Sequence, residues 1–167
     1  GAGKAARLWN AETLQEQKVF AGHTNSVRGL AFSPDSKLLV TASADQLVKL
    51  WDVTTGQELR TWRGHVNRLR DVAFAPDGKT VASCGDDGTV KVWNVDPTAE
   101  SAELLTGQTG DLFAVAIAPN GKTVATASGD TTVRLWDAAT GQTLHTLRGH
   151  AGRVVSVAFA PDGGTLL

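Results

Sequence analysis

His23, Ser43 and Asp45 are the residue types of a hydrolytic triad, in which an imidazole takes the proton of a hydroxyl and a carboxylate orients the imidazole. Trp51 follows them and adds an indole N–H. An active site, however, should occur once, and this set recurs with losses. His65, Asp87 and Trp93 return with Gly85 where the serine belongs. Ser128, Asp130 and Trp136 return with Gln108 for the histidine, and His150 and Trp9 with Gly3 for the aspartate. Residues that repeat and erode in this way read as structural.

Other stretches carry weaker chemistry. Gly1–Ala6, GAGKAA, faintly echoes a phosphate-binding loop, but such a loop needs a strand before it and a helix after it. Asp86-Asp87-Gly88 offers two carboxylates, short of the six or more oxygens that calcium takes. Cys84 has no second cysteine and no histidine at metal-ligand spacing, so it reads as a buried, inert thiol. No cofactor or metal site is expected.

The elements that must place these residues follow from a repeat. VKLWDVTTGQELRTWRGH at 48–65 and TVRLWDAATGQTLHTLRGH at 132–150 are near copies. RLWNAETLQEQKVFAGH at 7–23 is a looser one, and VKVWN at 90–94 opens a worn one running to Gly107-Gln108. The tryptophans stand at 9, 51, 93 and 136, steps of 42, 42 and 43. Between copies, apolar runs flank Pro34-Asp35-Ser36, Pro76-Asp77-Gly78, Pro119-Asn120-Gly121 and Pro161-Asp162-Gly163, which are proline-led turns. A second turn follows each at Ala44-Asp45, Asp87-Gly88 and Gly129-Asp130. With no helical period anywhere, this spacing gives four short antiparallel strands per repeat.

A Gly-His pair and a Trp-Asp pair at this period resemble the WD-repeat β-propeller family, over essentially the whole chain. The fold the resemblance implies is all-β: four-stranded antiparallel blades, about four per chain, with one blade split between the termini. Residues 1–167 then form a single propeller unit. Residues 1–23 give the outer strands of the split blade, 24–65, 66–108 and 109–150 three whole blades, and 151–167 the inner strands of the split one. In such blades the histidine, serine, aspartate and tryptophan satisfy one another, so His23, Ser43, Asp45 and Trp51 form a structural tetrad, the only intact one in this reading. Trp62, where the sibling repeats have Phe20 and Leu147, is expected in the core.

The composition fits. Hydrophobic residues make up 41% and charged ones 20% of 167, a balance that supports a folded, turn-rich chain. The net charge of −1 leaves no basic field for nucleic acid or an anionic membrane, and no apolar run reaches bilayer-spanning length. The N-terminus lacks a signal-peptide pattern, and the single cysteine fits a reducing compartment, so a cytoplasmic setting is expected. There is no methionine, which points to a processed or excised chain.

The family resemblance implies a non-enzymatic scaffold that holds other proteins on its top face. The slots of that face are Ser26 and Arg28, Arg68 and Arg70, Asp111 and Phe113, and Arg153 and Val155, with Ala44, Asp86 and Gly129 at the turn. Four arginines around one mouth suit an acidic or phosphorylated peptide, because guanidinium forks match those groups bidentately; Phe113 adds an apolar anchor. Solvated charges partly paired with Asp71, Asp86 and Asp111 are the alternative. Catalysis over a central channel is the less favoured class, since the strand starts offer arginines and no ring of histidines or carboxylates.

Register raises one more expectation. Leu167 lies 17 residues past His150, as Val40 lies past His23, and Gly1 lies eight before Trp9, as Ser43 lies before Trp51. The half-blades at Ala5–Ala21 and Gly152–Leu167 are unpaired edges. Two copies would complete them as a homodimeric eight-bladed ring turning about 45° per blade, where self-closure demands about 90°. The other reading is an excerpt, or an assembly fragment, of a longer protein.

Overall fold

The computed structural model describes residues 3–98, 103–105 and 107–167; the first two residues of the GAGKAA stretch lie outside these. All its regular elements are strands: β1 (Ala5–Trp9), β2 (Glu16–Ala21), β3 (Val27–Phe32), β4 (Leu38–Ser43), β5 (Val48–Asp52), β6 (Glu58–Trp62), β7 (Leu69–Phe74), β8 (Thr80–Gly85), β9 (Val90–Asn94), β10 (Glu103–Leu105), β11 (Leu112–Ile117), β12 (Thr123–Ser128), β13 (Val133–Asp137) and β14 (Thr143–Leu147). They form three four-stranded antiparallel meanders, β3–β6, β7–β10 and β11–β14, and the two-stranded sheet β1–β2.

The second strand of each meander explains the apolar runs. β4, β8 and β12 share one burial pattern, half-buried at the first residue and buried at the next five. A strand in mid-sheet with a neighbouring sheet on both faces has no side to give to water. Registers repeat as well: Val40 pairs with Leu50, Ala82 with Val92 and Ala125 with Leu135.

The apolar core lies between sheets. Val40, Leu50, Trp62, Val72, Val81 and Trp93 fill the junction of the first two meanders. Cys84, Leu105, Leu112, Val115 and Trp136 fill the next. Trp62 packs at 6.1 Å between ring centroids from Trp93, a core position. The inner strands approach so closely that a Cβ on Gly29 would lie 2.6 Å from the Cα of Asp71.

The first turn of each hairpin uses left-handed backbone, at φ 68° for Gly78, 72° for Gly121 and 71° for Gly163. Ser36 takes the same conformation at φ 60° without being glycine.

The split blade departs from expectation. Among the described residues β1 pairs only with β2, and residues 154–167 form a short hairpin held by the Phe159–Leu166 bridge and by hydrogen bonds between Ala158 and Leu167. Each half instead packs on the whole blade next to it in sequence. Ala6 and Phe20 bury against Leu39 and Trp51, and Val154 and Val157 against Ala114, Ala125 and Val133. Among the described residues the blades therefore form an open row and no closed ring, and Trp9 is 55% exposed where its sibling Trp51 is 1% exposed.

Candidate functional site

The serine assigned to the tetrad is the wrong one. The indole N–H of Trp51 donates to Thr41 Oγ1 at 2.9 Å, and Thr41 Oγ1 lies 2.7 Å from His23 Nε2. His23 Nδ1 in turn lies 2.9 Å from Asp45 Oδ2. One assignment satisfies all four groups: indole N–H to hydroxyl oxygen, hydroxyl proton to Nε2, and Nδ1–H to carboxylate. Ser43 faces elsewhere, donating to the Asn25 carbonyl at 3.1 Å and accepting the Asp45 N–H at 3.1 Å. Strand geometry gives the reason. Trp51 pairs with Leu39, and the residue on the same face one step along is Thr41.

With Thr41 as the node, the networks of the second and third meanders are continuous, while Trp9 of the split repeat stands outside any such network among the described residues. In the second meander Trp93 donates to Ser83 Oγ at 2.8 Å, which lies 2.8 Å from His65 Nε2, and His65 Nδ1 is 2.8 Å from Asp87 Oδ2. Gly85 is no lost serine: a Cβ there would lie 2.3 Å from the Arg68 carbonyl oxygen. In the third, Trp136 donates to Thr126 at 2.9 Å, and Thr126 donates to Gln108 Oε1 at 2.6 Å. Gln108 Nε2 reaches Thr132 Oγ1 at 3.3 Å, and that hydroxyl donates to Asp130 at 2.6 Å. The hydroxyl at 41, 83 and 126 is present in all three repeats; that recurrence was the available signal.

The electrostatics agree with a neutral, buried histidine. Burial pushes the His23 imidazole down from its ordinary value, against the upward pull of Asp45. For Asp45 burial opposes ionisation, yet the Thr24 N–H and the His23 ring hold its carboxyl below the usual range. The same balance, with the His65 hydrogen bond dominant among the lowering causes, puts Asp87 well below it. The His23 side chain has no exposed surface and no bond to Ser43. A triad needs an accessible hydroxyl on its base, and this arrangement offers none.

The top-face residues divide into two groups. Arg70 of β7, Asp86 of the β8–β9 turn, Phe113 of β11 and Arg153 come together. Arg70 holds Asp86 bidentately, Nε to Oδ1 at 2.5 Å and Nη2 to Oδ2 at 2.9 Å. Its guanidinium lies 5.3 Å from the Phe113 ring centroid, and that of Arg153 lies 5.6 Å from the same ring. Asp111, Phe113, Asp130 and Arg153 line an open cavity of about 410 Å³. Ser26, Arg28 and Arg68 stand outside that cluster; both arginines are exposed. Both carboxylates of the Asp86-Asp87 pair are already committed, Asp86 to Arg70 and Asp87 to His65, Thr89 and the Val66 N–H.

Compared with known protein families, the chain matches the profile of the WD domain, G-beta repeat, four times, over residues 14–52, 56–94, 100–137 and 141–167. Four matches in phase with the strands and with the recurring hydrogen-bonded networks cover most of the chain. It belongs to the WD40 repeat family, whose domains generally serve as protein-interaction scaffolds and are typically not catalytic.

Proposed function

We propose that this chain is a non-enzymatic scaffold that binds an acidic or phosphorylated polypeptide segment on its top face. The observation that carries the reading is the Phe113 ring meeting the guanidiniums of both Arg70 and Arg153. Asp86 neutralises Arg70, so Arg70 acts as a rigid wall that positions the ring. Arg153 is exposed and borders the open cavity, which leaves its fork for a carboxylate or phosphate. Arg68 and Arg28 would extend the basic rim. Titration of a labelled Glu-phosphoserine-Glu peptide tests this. We expect saturable binding, weakened at least tenfold by Arg153→Glu and by removal of the phosphate. Equal affinity in the variant contradicts the proposal.

The scaffold would assemble through its half-blades. Among the described residues β1 pairs on one side only, and Trp9 stands exposed on it; a second copy's 154–167 hairpin would pair along the other side. Two chains paired in this way give eight blades and an isologous interface.

A further inference from the structure

The cavity beside Phe113 carries two opposite charges that the chain itself leaves uncommitted. Of the ionised groups gathered there, Arg70 and Asp86 satisfy each other through two hydrogen bonds. Asp130 is committed to its own turn, accepting the Thr132 hydroxyl at 2.6 Å and the Thr132 N–H at 3.0 Å. Asp111 and Arg153 remain, and both are exposed and line the cavity. Among the described residues neither the Asp111 carboxylate nor the Arg153 guanidinium forms a hydrogen bond or an ion pair; Arg153 meets the Phe113 ring.

Asp111 is firmly placed. Its carbonyl oxygen accepts the Gly129 N–H at 2.9 Å and the Ser128 hydroxyl at 3.3 Å, so the β12–β13 turn anchors the backbone that bears the carboxylate. Gly129 keeps the space beside it open: a Cβ there would lie 3.4 Å from Phe113 Cε2 and 3.6 Å from the Asp111 carbonyl oxygen. One repeat earlier the equivalent turn position is Asp86, and its carboxylate fills the slot and takes Arg70. The third repeat has no side chain at that position, and the slot stays open to a ligand.

A ligand with acidic groups alone would gain from Arg153 and be repelled by Asp111 and Asp130. We propose, resting on the acidic-segment reading above, that the segment bound here carries a lysine or arginine two residues from its acidic or phosphorylated residue. Alternate side chains of an extended segment point the same way, about 7 Å apart. Both can therefore enter one cavity, the anion meeting the Arg153 fork and the cation meeting Asp111.

The test titrates three labelled, end-blocked peptides into the full chain in low salt. They are Ala-phosphoserine-Ala-Lys-Ala, the same peptide with Gln for Lys, and Ala-phosphoserine-Lys-Ala-Ala, which has the same charge but presents it on the opposite side. We expect the first to bind about fivefold more tightly than the other two, the upper scale of one exposed ion pair. Asp111→Asn should bring all three to one affinity, and Arg153→Glu should weaken all three. If the first peptide has no advantage, or keeps it in Asp111→Asn, the charge pairing is overturned while the acidic-segment reading stands. If no peptide binds saturably, or Arg153→Glu changes nothing, both are overturned.

Discussion

Thr41 Oγ1 stands 2.9 Å from the indole nitrogen of Trp51, a contact that both residues need. Both are buried, and the same hydroxyl meets His23. Removing it strands an indole N–H and an imidazole nitrogen together, each at about 1–3 kcal/mol.

Thr41→Val should therefore cost about 2–4 kcal/mol in chemical denaturation. Ser43→Ala should cost about 1 kcal/mol, since Ser43 bonds only backbone groups. A larger loss for Ser43→Ala would contradict Thr41 as the node.

Trp51→Phe and Trp93→Phe should destabilise by similar amounts, because Ser83 completes the second network as Thr41 completes the first. A difference beyond about 1 kcal/mol, the net scale of one hydrogen bond, would show that one network is incomplete.

Stability should fall as pH drops below about 6.5, in a step carried by His23. Its folded value lies below the ordinary 6.5, so the unfolded chain binds the proton first and acid favours unfolding. Asp45 and Asp87, both lowered, add a second loss below about pH 3.8. Asp71, raised chiefly by burial, works the other way, losing stability as pH rises through its folded value. Transplanting the third network as His23→Gln with Leu47→Thr should shrink the step below pH 6.5 in urea midpoints measured across pH. An unchanged step would assign it elsewhere.

Thr131 is β-branched at φ 71°, where the second meander has Gly88 at φ 69°. Left-handed backbone costs a non-glycine residue about 1–2 kcal/mol, and glycine's extra unfolded freedom takes back about half of that. Thr131→Gly should stabilise by about 0.5–1 kcal/mol and Ser36→Gly by somewhat less. A loss of stability at either position would mean that its side chain makes a compensating contact.

The blade pattern was legible because Trp9, Trp51, Trp93 and Trp136 recur at steps of 42, 42 and 43, and because a proline-led turn closes the first hairpin of each repeat. The node of the networks was not. Choosing between Thr41 and Ser43 needs the pairing register, which sets the face and step that the indole reaches. Gly85 looked like decay because a sequence cannot display the Arg68 carbonyl that excludes a Cβ there. Arg68, Arg70 and Arg153 all read as rim arginines in sequence, whereas the fold commits Arg70 to Asp86 and leaves Arg153 at the open cavity. The half-blades were visible in register, but not that each packs on its neighbouring blade.

The scaffold account depends most on the open edges at β1 and at residues 154–167 closing with a second copy. Sedimentation equilibrium on the purified chain at micromolar concentration measures this directly. The account predicts a species of twice the 17.5 kDa chain mass, with Trp9 fluorescence moved toward that of a buried indole. A stable 17.5 kDa monomer with Trp9 still in water would contradict it.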